Sequence, residues 1–268
     1  MKPVDKKYNF LVPCKNENLE RLGKSADGGY VVDGKIVTSC SNLISFGLGP
    51  DWSFELDYIK KNNNVKIYVY DHTVSAIPYI KDVLKYLKRF ILFKKKYEAF
   101  SSRCKHLYNY LSFKKLKHVN FFAERIICPP KKKNDADIKK VFSRLSSESK
   151  VVLKCDIEGG EYKIIDEILN FSERIEMLIF EFHSIGDNEK IFLSKIKQII
   201  EKFNIVHIHG NNHEGLLLSG LPETIEITMI NKRHFIKNND LITSFPIEKL
   251  DHPNNPHVED LKFFFKIN

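Results

Sequence analysis

Five cysteines in 268 residues, at positions 14, 40, 104, 128 and 155, are odd in number, widely scattered and never in C-x-x-C spacing. That excludes a disulfide framework and a structural zinc knuckle, and a reducing, cytoplasmic setting is the expectation. No apolar core follows the opening MKPVDKKYNFLVPCKNENLE, and no run approaches about eighteen uncharged apolar residues, so neither a signal peptide nor a membrane-spanning helix is expected. The full glycine fingerprint of pyrophosphate sites, G-x-G-x-x-G, is also missing, because Trp52 stands where the third glycine would be. There is no N-P-P-Y motif of the kind used for base methylation.

Charge and periodic apolar sequence are present instead. Lys and Arg number 43 against 34 Asp and Glu, a formal charge of +9, which suits a nucleotide, phosphate, anionic glycan or membrane surface as partner. Twelve of those bases fall within residues 81–118 beside only Asp82 and Glu98, for a local charge of +10, interleaved with eight Tyr and Phe. This pattern predicts amphipathic helices laid over a sheet, presenting either a solvated basic face or a surface for a polyanionic or sugar-phosphate partner.

Seven short runs read as strands: LISFGLG (43–49), VKIYVYD (65–71), HVNFFAERI (118–126), KVVLKCDIE (150–158), IEMLIFEFH (175–183), NIVHIHG (204–210) and TIEITMI (224–230). Most are continuously apolar, as strands covered on both faces are. Helical stretches alternate with them. In DNEKIFLSKIKQIIEKF, Asp187 is placed to cap and Ile191, Phe192, Ile196, Ile199, Ile200 and Phe203 form a stripe. The expectation is an α/β fold: a Rossmann-like, seven-stranded, mostly parallel sheet with helices on both faces and a basic helical insert after the second strand. The last strand, richer in Thr and charge, reads as an antiparallel edge. Ligands of such sheets bind beyond the carboxyl ends of the strands, so the strand ends hold the candidate residues.

Gly47 and Gly49 leave the first strand without side chains, which lets a ligand approach the backbone. Asp71, 22 residues on, ends the second strand and suits either the hydroxyls of a ribose or the cap of a helix. With Trp52 in the third glycine's place, a nucleoside without phosphates is expected rather than NAD, and S-adenosylmethionine is such a nucleoside. Asp156 and Glu158 end the fourth strand before the Gly159-Gly160 turn. A carboxylate there, or His183 or His209, has the chemistry to take a proton from an acceptor hydroxyl. Asp156, Glu181, His183 and His209 together offer carboxylate and imidazole ligands to a divalent metal ion that would lower the pKa of that hydroxyl; metal-free base catalysis is the competing reading. Asn211, Asn212, Glu158 and Glu226 are candidates for holding the substrate. Lys154 and Cys155 read as facing the flanks of the sheet, and Glu161 as a residue that opposes a helix dipole. SADGGY, with Asp27 and Tyr30, reads as a flap over the cofactor or as a simple hairpin, within an N-terminal capping segment of residues 1–40.

RLGKSADGGYVV, FGLGPDWSFE, LKCDIEGGEY, HIHGNN and PETIEIT, taken together, resemble the FkbM-type branch of the class I S-adenosylmethionine-dependent methyltransferases, with LKCDIEGGEY similar to its K-x-D-x-E-G-x-E signature. The resemblance implies one methyltransferase domain over 1–268, cofactor contacts from Gly47, Gly49, Asp71 and Glu55, and methyl transfer to a hydroxyl of a sugar. A nucleotide-linked sugar or a surface-polysaccharide precursor is the expected acceptor, because the basic insert suits phosphate. Residues 124–128, ERIIC, do not align with the family's adenine-holding pattern. Two alternatives stand beside this: a nucleic-acid methyltransferase that uses the basic insert, and a non-catalytic module that docks on anionic glycans or membranes.

Overall fold

The structure is a computed structural model that describes residues 1–92, 96–234 and 240–267. All seven expected strands form one sheet: β1 (Asn42–Phe46), β2 (Lys66–Tyr70), β3 (Val119–Phe122), β4 (Val151–Cys155), β5 (Ile175–Phe182), β6 (Phe203–Gly210) and β7 (Ile225–Asn231). Their order across the sheet is β6-β7-β5-β4-β1-β2-β3. β1 to β5 run parallel, and β7 lies antiparallel to β5 and β6. The direction of β7 is as its composition predicts, but its place is not. β7 lies inside the sheet and all seven of its residues are buried, so β6 takes the edge.

Every residue of β1, β4 and β5 is buried, and two apolar cores fill the faces. Phe46, Leu153, Phe180 and Ile208 belong to one, and Leu43, Val69, Val152 and Ile179 to the other. The helices on these faces are α1 (Gly34–Ser39), α2 (Ser53–Lys61), α5 (Ile138–Phe142), α6 (Ile165–Leu169) and α7 (Glu189–Ile199). The N-cap of α7 is Asn188, not Asp187, and Phe203 opens β6 rather than ending the helical stripe.

The basic segment forms two helices, α3 (Ala76–Ile91) and α4 (Tyr97–Lys114), which pack on each other as a hairpin. Phe93, Lys94 and Lys95 lie outside the described residues. Only one end of the hairpin packs on the sheet: α3 buries none of its residues, and α4 buries only Tyr110 and Phe113, with the Tyr110 ring 6.5 Å from Phe121 of the edge strand β3. Trp52 stacks on Phe113 with ring centroids 5.4 Å apart, so this residue roots the hairpin on the body of the protein.

An antiparallel pair, Leu19–Leu22 with Tyr30–Asp33, lies against β5 and β7. Its anchors are Thr228 Oγ1, which donates to the Val31 carbonyl at 2.5 Å, and Asp33, which caps α1 by accepting from Ile36 N. The C-terminal segment joins Lys2–Val4 in a small sheet with Ser244–Phe245 and Phe263–Phe265, and residues 251–260 run over the ends of β6 and β7.

Candidate active site

The signature turn folds around a carboxylate. Glu158 and Gly159 take positive φ angles of 54° and 89°, which turns Ile157 N and Gly159 N back to donate to Glu161 Oε1 at 3.0 and 3.2 Å. Glu161 is fully buried and lies 3.2 Å from His183 Nδ1. It therefore fixes the imidazole of a neighbouring strand end rather than merely opposing a dipole, and its Oε2 has no hydrogen-bond partner.

With Nδ1 held, His183 Nε2 faces Glu158 Oε2 at 3.5 Å, Asp156 Oδ1 at 3.8 Å and Glu181 Oε1 at 3.9 Å. Burial disfavours a charged ring, but the hydrogen bond to Glu161 and the charges of Glu181, Glu161 and Asp156 outweigh it and raise His183 to about 9. The raised value favours the protonated ring, the weaker proton acceptor, at neutral pH. Asp156 offers a carboxylate beside it. Burial raises its pKa against the pull of Lys154 and His183, and Tyr30 OH orients it by donating to Oδ2 at 2.9 Å. Glu181 is pushed well above the usual carboxylate range by burial and by the charges of Asp156 and Glu226. It accepts from Asn211 Nδ2 at 2.7 Å and from Tyr30 OH at 3.2 Å.

Two cavities meet at these groups. The larger, of about 660 Å³, is lined by Gly47, Gly49, Glu55 and Asp71, among others. The smaller, of about 230 Å³, is lined by Glu181, His183, Asn211, His213, Glu214 and Thr224. Asp27, Asp156 and Glu158 line both. The larger volume falls within the range of small-molecule sites, about 300–1,000 Å³.

Lys154 was not expected here. It is buried inside the larger cavity, donates to the Gly47 carbonyl at 2.9 Å, sits 4.9 Å from the Tyr30 ring centroid and supplies positive charge to Glu55 and Asp156. Glu55 accepts from Ser45 Oγ at 2.7 Å. The carboxylate of Asp71 is taken up by its own loop: Oδ2 accepts from Leu48 N and Gly49 N, and Oδ1 from Thr73 N, Thr73 Oγ1 and Val74 N. Burial would raise Asp71, but those bonds prevail and lower it. Asp71 thus ties a turn, as the capping reading has it, and also lines the larger cavity. The segment 124–127 that resisted alignment lines the cavity as well.

Three expected site residues lie outside both cavities, for one reason: the C-terminal segment covers them. His209 is 1% exposed, with Nδ1 3.3 Å from Glu226 Oε2 and Nε2 3.1 Å from Asp260 Oδ2, so neither nitrogen is open to a metal or a substrate. Glu226 also accepts from Asn254 Nδ2 at 2.7 Å. Asn212 donates to the carbonyls of Asn255, Val258 and Glu259 and accepts from Asn255 N. The expected metal set is corrected accordingly. Among the described residues, one donor atom each from Asp156, Glu161 and His183 lie within 4.8 Å of one another, Glu181 is adjacent, and His209 takes no part.

His209 instead makes stability depend on pH. Burial opposes its charge, but the bonds to Asp260 and Glu226 prevail and raise it to about 10, from an ordinary 6.5. A group whose pKa is raised by folding stabilises the fold fully below its unfolded pKa and loses that contribution as pH climbs through the folded value. Thermal unfolding followed by calorimetry is therefore expected to show a melting temperature that falls between about pH 6.5 and 10. In His209→Gln the part of that slope due to this ring should vanish, leaving the part that His183, raised to about 9, contributes, and stability at pH 7 should drop by ~3 kcal/mol, because Glu226 and Asp260 are left without their cation. An unchanged slope in the variant would assign the dependence elsewhere.

No protein-family model and no curated protein matches the chain. Among solved structures it is similar to the Methanococcus jannaschii fibrillarin pre-rRNA processing protein, at 9% identity over 73% of this chain and 68% of that one, with a TM-score of 0.38. It is also similar to precorrin-6y C5,15-methyltransferase from Geobacter metallireducens, at 10% identity over 74% and 88%, with a TM-score of 0.35. The fold is read from the strand order: six parallel strands with an antiparallel seventh between the fifth and the sixth make a Rossmann-like methyltransferase fold.

Proposed function

We propose that this chain is an S-adenosylmethionine-dependent O-methyltransferase of the FkbM type that acts on a sugar hydroxyl, with the methyl donor in the larger cavity and the acceptor in the smaller one. The observation that carries the reading is the wall the two cavities share, Asp27, Asp156 and Glu158, since a donor and an acceptor must meet across one boundary.

The larger cavity suits this cofactor. A side chain at Gly49 or Gly159 would meet nothing within 4 Å, which leaves room beside the backbone. Seven carboxylates line the cavity against four Lys and Arg, a balance that disfavours a pyrophosphate and favours a cationic sulfonium. Gly47, Gly49, Glu55, Asp71, Asp27 and Tyr30 would hold the cofactor, which supplies an electrophilic methyl group when bound.

The residues of this chain do the rest. Five carboxylates and no Lys or Arg line the smaller pocket, where they accept hydrogen bonds from sugar hydroxyls; in a nucleotide-linked acceptor the phosphates lie outside it. Asp156, oriented by Tyr30 and raised by burial, takes the acceptor's proton. A divalent cation held by Asp156, Glu161 and His183, with Glu181 beside them, would lower the pKa of that hydroxyl. The orphaned Glu161 Oε2 is a donor that fits such an ion.

Titration calorimetry of the purified chain tests the reading. S-adenosylmethionine and S-adenosylhomocysteine are expected to bind saturably, one per chain, and NAD to give no heat. Saturable NAD binding without any for the sulfonium nucleoside would end it.

A further inference from the structure

The basic hairpin leaves uncovered an apolar face that the two cavities do not use. Ile77, Leu84 and Ile91 of α3 keep 61%, 59% and 63% of their surface exposed, and Ile80 keeps 44%. Their spacing, i, i+3, i+7 and i+14, lines them along one face of the helix, and Lys81, Lys85 and Lys88 follow its edge. On α4, Tyr97 and Tyr108 are exposed as well.

The aliphatic stripe lies apart from the ring contacts that hold the hairpin together. The inner side of the hairpin is already filled: Tyr79 stacks on Tyr110 at 5.0 Å, Phe90 on Phe100 at 6.1 Å, and the Arg103 guanidinium lies 4.8 Å from the Tyr86 ring centroid. The aliphatic stripe is surplus to folding.

We propose that the outer face of this hairpin docks on an anionic lipid bilayer, with the aliphatic stripe entering the interfacial region and the flanking lysines meeting lipid phosphates. An apolar stripe edged by Lys is the pattern of a helix lying in a membrane surface, and a local charge of +10 is complementary to anionic lipid. Nucleic acid would use aromatic and Arg faces and gain nothing from four exposed aliphatics. A second copy of the chain would bring the same positive charge against itself. No helix among the described residues is long and apolar enough to cross a membrane, so the mode is surface attachment. Docking does not depend on the chemistry assigned to the cavities. α3 begins four residues after His72, which lines the larger cavity, so docking brings that rim to the bilayer.

The test is co-sedimentation of the full chain with vesicles of phosphatidylcholine alone and of equal parts phosphatidylcholine and phosphatidylglycerol. Wild type is expected to pellet with the anionic vesicles and stay in solution with the neutral ones. The double variant Ile80→Ser/Leu84→Ser and the triple variant Lys81→Glu/Lys85→Glu/Lys88→Glu should each lower the partition coefficient at least tenfold while melting like wild type, because all five positions are exposed. Failure of wild type to pellet with anionic vesicles overturns the proposal, as does wild-type partition by the serine variant, which would reduce the effect to bare charge. A wild-type dimer in sedimentation velocity that the serine variant dissolves, or an RNA oligonucleotide bound equally by wild type and the serine variant, overturns it in favour of that other partner.

Discussion

Gly47→Ala is expected to lower stability by ~3 kcal/mol or more and to abolish nucleoside binding. The residue sits at φ +75°, and an added Cβ would stand 1.6 Å from the Asp156 carbonyl oxygen, a backbone atom held in place when Asp156 N donates to the Phe46 carbonyl. For a chain of this size that corresponds to a melting temperature lower by about 6–12 °C. Gly49→Ala is the control. It has a similar φ, +60°, but an added Cβ meets nothing within 4 Å, so only the conformational cost of ~1 kcal/mol applies. Its methyl group instead enters the larger cavity, so binding should weaken while folding is nearly kept. Calorimetric melting of both variants separates the two effects. Equal melting of Gly47→Ala and wild type would mean that β1 and β4 do not close as described.

Asp156→Asn is expected to reduce methyl transfer by ~10³-fold, because the group that takes the proton is lost, while S-adenosylhomocysteine still binds within a few-fold of wild type. Tyr30→Phe keeps the carboxylate and removes one donor from Asp156 and Glu181, which is worth roughly tenfold. The assay is transfer of labelled methyl from S-adenosylmethionine to a panel of nucleotide sugars. Undiminished transfer in Asp156→Asn would rule out this carboxylate as the base.

The fold was legible because its signal is local. LISFGLG, KVVLKCDIE and IEMLIFEFH are continuous apolar runs, and the strands they form, β1, β4 and β5, are buried along their whole length. The interior place of β7 was not legible, since TIEITMI carries the Thr and charge of an edge. Those polar groups are satisfied only from elsewhere, Thr228 by the Val31 carbonyl and Glu226 by His209 and Asn254.

The site divides in the same way. Gly47, Asp71, Asp156 and Glu158 stand at strand ends, where topology alone points. His209 and Asn212 stand at a strand end too, yet their partners, Asp260 and Asn255, lie 51 and 43 residues away in a segment with no strong periodicity, so their burial had no local sign. Lys154 was missed because a lysine in an apolar strand reads as facing outward, whereas the Gly47 carbonyl, the Tyr30 ring and two acids receive it inside. Glu161 had a signal that went unused. It follows a turn whose positive φ angles aim two N–H groups at one point, and a buried carboxylate is the natural acceptor there.

The whole account rests on a sulfonium and an acceptor oxygen facing each other across Asp27, Asp156 and Glu158. A crystal structure with S-adenosylhomocysteine bound measures this directly. The account predicts the nucleoside between Gly47, Asp71 and residues 124–127, with its sulfur at the opening into the pocket of His183 and Asn211. A nucleoside bound outside that cavity, or one whose sulfur points away from Asp156, would contradict it.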